Sequence, residues 1–79
     1  MIETIFRLEH LDFLIRTSAT GPRKALAEKF QVSERTINRW LEFMRDRGAE
    51  IEFGRVKNSY FYKKPGNFVV KAEFIAKKE

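Results

Sequence analysis

The sequence predicts a mainly α fold carrying a small β-hairpin, with three helices followed by two short strands. Three observations carry this expectation. Apolar residues recur with a helical period as far as Arg47; the period drops to two after Gly48; and the turn-forming run Gly54-Arg55-Val56-Lys57-Asn58-Ser59 divides the alternating stretch in two. At 79 residues the chain has room for one domain, and 43% hydrophobic beside 34% charged residues describes a globular chain, neither a disordered tail nor a membrane protein. Eight Phe, one Trp and two Tyr enlarge what would otherwise be a modest core.

The first helix is expected from Ile2 to about Thr17, a stretch free of proline and glycine. Its apolar residues fall into two stripes at about 100° per residue. Leu8, Leu11, Leu14 and Ile15 form one, and Ile2, Phe6 and Phe13 form the other on roughly the opposite side. A surface helix needs a single apolar face, so the second stripe requires a cover, either the C-terminal segment of the same chain or another copy of it. Ser18-Ala19-Thr20-Gly21-Pro22 reads as a turn, with Pro22 suited to the first position of the second helix.

That helix continues to Phe30 with Leu26, Ala27 and Phe30 on its apolar side. After the tight turn Gln31-Val32-Ser33, the third helix is expected from Glu34 to about Arg47. Ser33 stands where its hydroxyl can accept the backbone N–H of Arg35 or Thr36. Ile37, Leu41 and Met44 point inward with Trp40 on their flank, and Gly48 is suited to the left-handed residue by which a chain leaves a helix. Trp40 and Phe43, three apart, either pack against the rest of the chain or anchor a partner.

Beyond Gly48, Ile51 and Phe53 alternate with Glu50, Glu52 and Gly54, and Tyr60 and Tyr62 alternate with Phe61 and Lys63. Two short strands around a basic tip follow from this pattern. Pro65-Gly66-Asn67 interrupts it, and Phe68 to Phe74 resumes an alternation rich in β-branched and aromatic residues, so an extra C-terminal strand is expected there. Residues 1–75 then make one domain, with 76–79 as a frayed tail.

The net charge is +5, and all of the excess lies between Thr20 and Lys64, where eleven Lys and Arg stand against six Asp and Glu. A phosphate-binding surface would need its charge there. The same charge would also serve solubility. With no cysteine and the single His10, neither a thiolate nor a histidine metal site can be assembled. No nucleophile–histidine pair or glycine-rich phosphate loop is present, so no enzymatic activity and no cofactor are expected. The opening Met-Ile-Glu-Thr lacks a basic leader and no apolar run reaches spanning length, which favours a cytoplasmic, nucleoid-associated protein with no membrane partner.

The stretch VSERTINRWLEFMRDRGAEIEF followed by NSYFY resembles the small winged helix-turn-helix domains found at the N-terminus of the biotin operon repressor and of deoxyribose-type bacterial sugar repressors. The shared features are the Val32-Ser33 turn, Thr36-Ile37, Arg39, Leu41, Gly48, a strand with Ile51 and a wing closing on Tyr60. Leu14-Ile15-Arg16 and Leu26-Ala27 match as well, so the resemblance covers residues from about 7 to 62. Trp40 and Phe43 stand where such domains commonly carry small or polar residues. The ligand-binding or catalytic domain that usually follows them is not within these 79 residues. The resemblance implies sequence-specific binding of double-stranded DNA by a stand-alone bacterial transcriptional regulator, with no small-molecule ligand indicated.

In helix-turn-helix docking, the first turns of the second helix of the pair meet base edges in the major groove. The outward face of the third helix carries Arg35, Asn38, Arg39, Glu42 and Asp46, cationic at its start and acidic at its end. Arg35 and Asn38 are therefore candidate base readers, Arg35 for guanine and Asn38 for adenine, with Thr36 beside them. Arg39, Ser33, the helix start at Arg23 and Lys24, and the hairpin residues Arg55, Lys57 and Asn58 are candidates for the DNA backbone, and the wing also for the adjacent minor groove. The plainer reading is solvated surface for the charged residues and Asn38, and helix capping for Ser33 and Thr36.

One small module buries little DNA, so a homodimer is expected. Its candidate surfaces are Ile2, Phe6 and Phe13 on the first helix and Phe68, Val70 and Phe74 on the last strand. A protein-interaction module or a mobile-element accessory protein that bends DNA is the alternative.

Overall fold

The computed structural model describes residues 2–69, with side chains from residue 5 onward. It contains α1 (Ile2–Arg16), α2 (Arg23–Phe30), α3 (Glu34–Asp46), β1 (Ile51–Gly54) and β2 (Ser59–Tyr62). The fold is mainly α with a small antiparallel hairpin, as the change of period requires. The hairpin registers Ile51 with Tyr62, Glu52 with Phe61, Phe53 with Tyr60 and Gly54 with Ser59. Gly54 and Ser59 are thus paired strand residues, and the turn shrinks to Arg55–Asn58, closed by Asn58 N–H donating to the Arg55 carbonyl at 3.2 Å.

All three helices and β1 contribute to one core. Leu8, Leu11, Leu14 and Ile15 of α1 meet Leu26, Ala27 and Phe30 of α2, Ile37, Leu41 and Met44 of α3, and Ile51. Of the two stripes on α1, the leucine stripe is the buried one, whereas Phe6 and Phe13 remain 63% and 52% exposed. No cover for them lies among the described residues, although the Arg16 guanidinium sits 5.7 Å from the Phe13 ring centre. Trp40 belongs to the core rim, its ring edge-on to Phe30 at 5.5 Å between ring centres. Phe43 lies farther out, between the Arg47 guanidinium at 3.7 Å and Phe68 at 6.2 Å.

Each helix closes in the same way. Ser18, Gln31 and Gly48 have positive φ angles of 54°, 57° and 106°. At each, the next residue donates five positions back: Ala19 to the Leu14 carbonyl at 2.9 Å, Val32 to Ala27 at 2.9 Å and Ala49 to Met44 at 3.1 Å. These bonds satisfy carbonyls that the helix leaves unpaired. Only the third closure uses glycine.

Pro22 proves to be the cap before α2 and not its first residue, because its extended ψ of 168° starts the helical run at Arg23. Similarly, α1 stops at Arg16 and α3 at Asp46, one residue short of expectation in each case. Ser33 caps α3 as expected, accepting Thr36 N–H at 3.1 Å.

Two buried polar residues position the hairpin, and neither stood out in the sequence. Thr20, in the turn before α2, donates its N–H to Ser59 Oγ at 3.0 Å, and Thr20 Oγ1 accepts Tyr60 N–H at 2.8 Å. A side chain thus holds β2 where a further strand would otherwise pair with it. Asp12 on α1 accepts from Arg16 Nε at 3.0 Å, from the Tyr62 hydroxyl, and from Phe68 N–H at 2.7 Å. The last bond corrects the expected third strand: Phe68 and Val69 form none, since Phe68 N–H is turned to a carboxylate instead of a neighbouring strand. The remainder of that strand, with Val70 and Phe74, lies outside the described residues, as do the Ile2 side chain and the tail at 76–79.

Candidate nucleic-acid interface

The capped start of α3 projects from the protein interior. Arg35, Asn38, Arg39, Glu42 and Asp46 are all exposed, while Ile37, Leu41 and Met44 on the opposite side are buried. Thr36 is half-buried, and its hydroxyl accepts from Ser33 Oγ at 3.2 Å, so both hydroxyls are occupied in building the cap.

Arg35 and Arg39 are one turn apart on the same face and form no ion pair or hydrogen bond among the described residues. The sequence places Glu42 three residues from Arg39, where it could neutralise it. Glu42 instead pairs with Arg45 at 2.8 Å, because Arg45 is drawn to that side by also donating to the Ile51 carbonyl at 3.1 Å through Nη2. Arg45 thereby ties α3 to β1, a structural role that residue type alone did not reveal. Two like charges one turn apart repel slightly and favour an external anion.

Arg23, expected on the DNA backbone, is engaged with α3. Its Nε lies 3.2 Å from Glu34 Oε1, and its Nη1 donates to Asn38 Oδ1 at 3.0 Å. Lys24 beside it is exposed with no such partner among the described residues. In the hairpin turn Arg55, Lys57 and Asn58 are exposed, Val56 between them is fully so, and Lys57 Nζ lies 5.1 Å over the Phe61 ring. No hydrogen bond or ion pair joins these turn residues to Arg23, Arg35, Asn38 or Arg39 among the described residues. Arg35, Asn38 and Arg39 line one shallow hollow with Glu42, Phe43 and Asp46, and the hairpin cations are not part of its lining.

Comparison of the chain with protein-family models, with curated protein sequences and with solved structures finds no match. The functional reading rests on the side chains themselves. Among the described residues no three His, Asp or Glu side chains gather as metal ligands, and no helix is long and apolar enough to cross a membrane. What the first turns of α3 offer is a set of exposed hydrogen-bond donors on a rigid, capped helix. Such a set suits phosphate oxygens and the acceptor edges of bases. The carboxylates of Glu42 and Asp46 would oppose phosphate at the other end, which limits close approach to the N-terminal half.

Proposed function

We propose that this chain binds double-stranded DNA as a winged helix-turn-helix domain and serves as a bacterial transcriptional regulator. In this reading α3 enters the major groove, Arg35 and Asn38 reach base edges with Thr36 close by, and Lys24 and Arg39 hold the phosphates. Arg55, Lys57 and Asn58 follow the backbone or enter the adjacent minor groove. The observation that carries the proposal is the Arg35–Arg39 pair, two exposed cations on one helix face that form no ion pair among the described residues. A pair of copies would supply the surface that one module lacks, with Phe6 and Phe13 as the apolar face for the second copy.

Selection of bound duplexes from a random pool at two salt concentrations tests this. Arg35→Ala should blur the recovered motif. Lys57→Ala should weaken binding about equally for all sequences and reduce the salt slope by about one unit. If both variants leave motif and affinity intact, the proposed surface is wrong. Weak binding at low salt without steep salt dependence would point to a protein-interaction module instead.

A further inference from the structure

Arg23 and Asn38 belong to different helices, yet one guanidinium spans both Glu34 and Asn38, which lie one turn apart on α3. A guanidinium carries donors only. Its 3.0 Å contact therefore turns the amide oxygen of Asn38 toward α2 and its NH2 group away. The Arg23–Glu34 pair is about half exposed, at 45% and 48%, so its influence is one of geometry and not of stability. The same guanidinium also engages Oε1 of the Glu34 carboxylate at the start of the helix.

We propose that Arg23 is a positioning residue that presets Asn38 as a hydrogen-bond donor, so that Arg35 and Asn38 together select guanine in the major groove; this rests on the DNA-binding reading above. Guanine presents two acceptors there, O6 and N7, whereas adenine presents one acceptor and one donor. Bidentate pairing of an asparagine with adenine requires the amide oxygen to meet the N6 amine, and in this protein that oxygen is turned to Arg23. Arg35, with no partner among the described residues, adds donors alone. With Glu34 engaged, the charged and amide groups at the opening of α3 present donors and meet a purine best where it offers two acceptors.

The test uses the full chain, Asn38→Ala and Arg23→Met, the last keeping an aliphatic stem without the donors. Each protein selects duplexes from a random pool, and the wild-type site is resynthesised with 7-deazaguanine or 7-deazaadenine at single purines. The wild-type motif should contain a guanine whose preference disappears in Asn38→Ala and whose 7-deaza analogue weakens binding at least about fivefold. In Arg23→Met that position should accept adenine as well, with the salt slope unchanged. In the free protein, side-chain amide relaxation by NMR should show Asn38 ordered in the wild type and mobile in Arg23→Met.

Sensitivity to 7-deazaadenine at the position governed by Asn38 would overturn the inference while leaving DNA binding intact. So would a salt slope lowered by about one unit with an unchanged motif, which would make Arg23 a phosphate contact. An Asn38 amide equally mobile in both proteins would overturn it without reference to DNA. Failure of the wild type to recover any motif would remove both this inference and the reading beneath it.

Discussion

Asp12 is 4% exposed and is held by donors from its own helix, from β2 and from the segment after the hairpin. Burial, then the hydrogen bond to Asp12 and its negative charge, push the Tyr62 hydroxyl well above its ordinary pKa, with Arg16 opposing more weakly. The folded chain consequently keeps the Tyr62 proton at pH values where the unfolded chain loses it. The stabilisation is complete below the unfolded value of about 10 and is lost as pH rises above it. Tyr62→Phe should therefore flatten the alkaline fall in melting temperature. At neutral pH the same variant should lower stability by about 1–3 kcal/mol, because Asp12 loses one of its donors. Urea unfolding across pH measures both effects, and an unchanged alkaline limb would show that Tyr62 does not govern it.

The expectation that α1 carries two apolar stripes holds: Leu8, Leu11, Leu14 and Ile15 enter the core, whereas the cover expected for Phe6 and Phe13 is not found among the described residues. That much is legible because helical period dictates which residues share a face. Helix ends were less legible. Gly48 announces its left-handed turn, since glycine adopts a positive φ at little cost, but Ser18 and Gln31 take the same turn without any residue-type signal. Their conformation is imposed by where the next element must go.

This asymmetry makes a paired prediction. Gly48→Ala should cost about 1 kcal/mol, and that cost is conformational, since a Cβ there meets nothing within 4 Å. Gln31→Gly, at an exposed position, should instead stabilise by about 0.5–1 kcal/mol. Chemical denaturation midpoints of the two variants should move in opposite directions. Movement of both the same way would mean that backbone strain does not govern these closures.

At the scale of the whole molecule, the apolar face of Phe6 and Phe13 has no cover among the described residues. If a second copy covers it, Phe6→Ser combined with Phe13→Ser should sediment as single chains where the wild type sediments as pairs. A wild type that remains single yet still recovers a DNA motif would remove the dimer while leaving the interface on α3. Trp40 shows how packing settles what spacing leaves open. Its place beside Phe43 allowed a core or a partner surface, and the edge-on contact with Phe30 assigns Trp40 to the core rim, whereas Phe43 stays 37% exposed.

The element order, the buried faces of the helices, the cap at Ser33 and the outward placement of Arg35, Asn38 and Arg39 follow from the sequence alone, since period and capping are local properties. The partners of the charged and polar side chains do not. Arg23 joining Glu34 and Asn38, Arg45 drawing Glu42 away from Arg39, Thr20 holding β2 and Asp12 receiving Phe68 connect residues that the chain brings together only on folding. A long polar side chain has several neighbours within reach along its helix. Which one it meets depends on the elements that pack beside it, and that choice belongs to the tertiary structure.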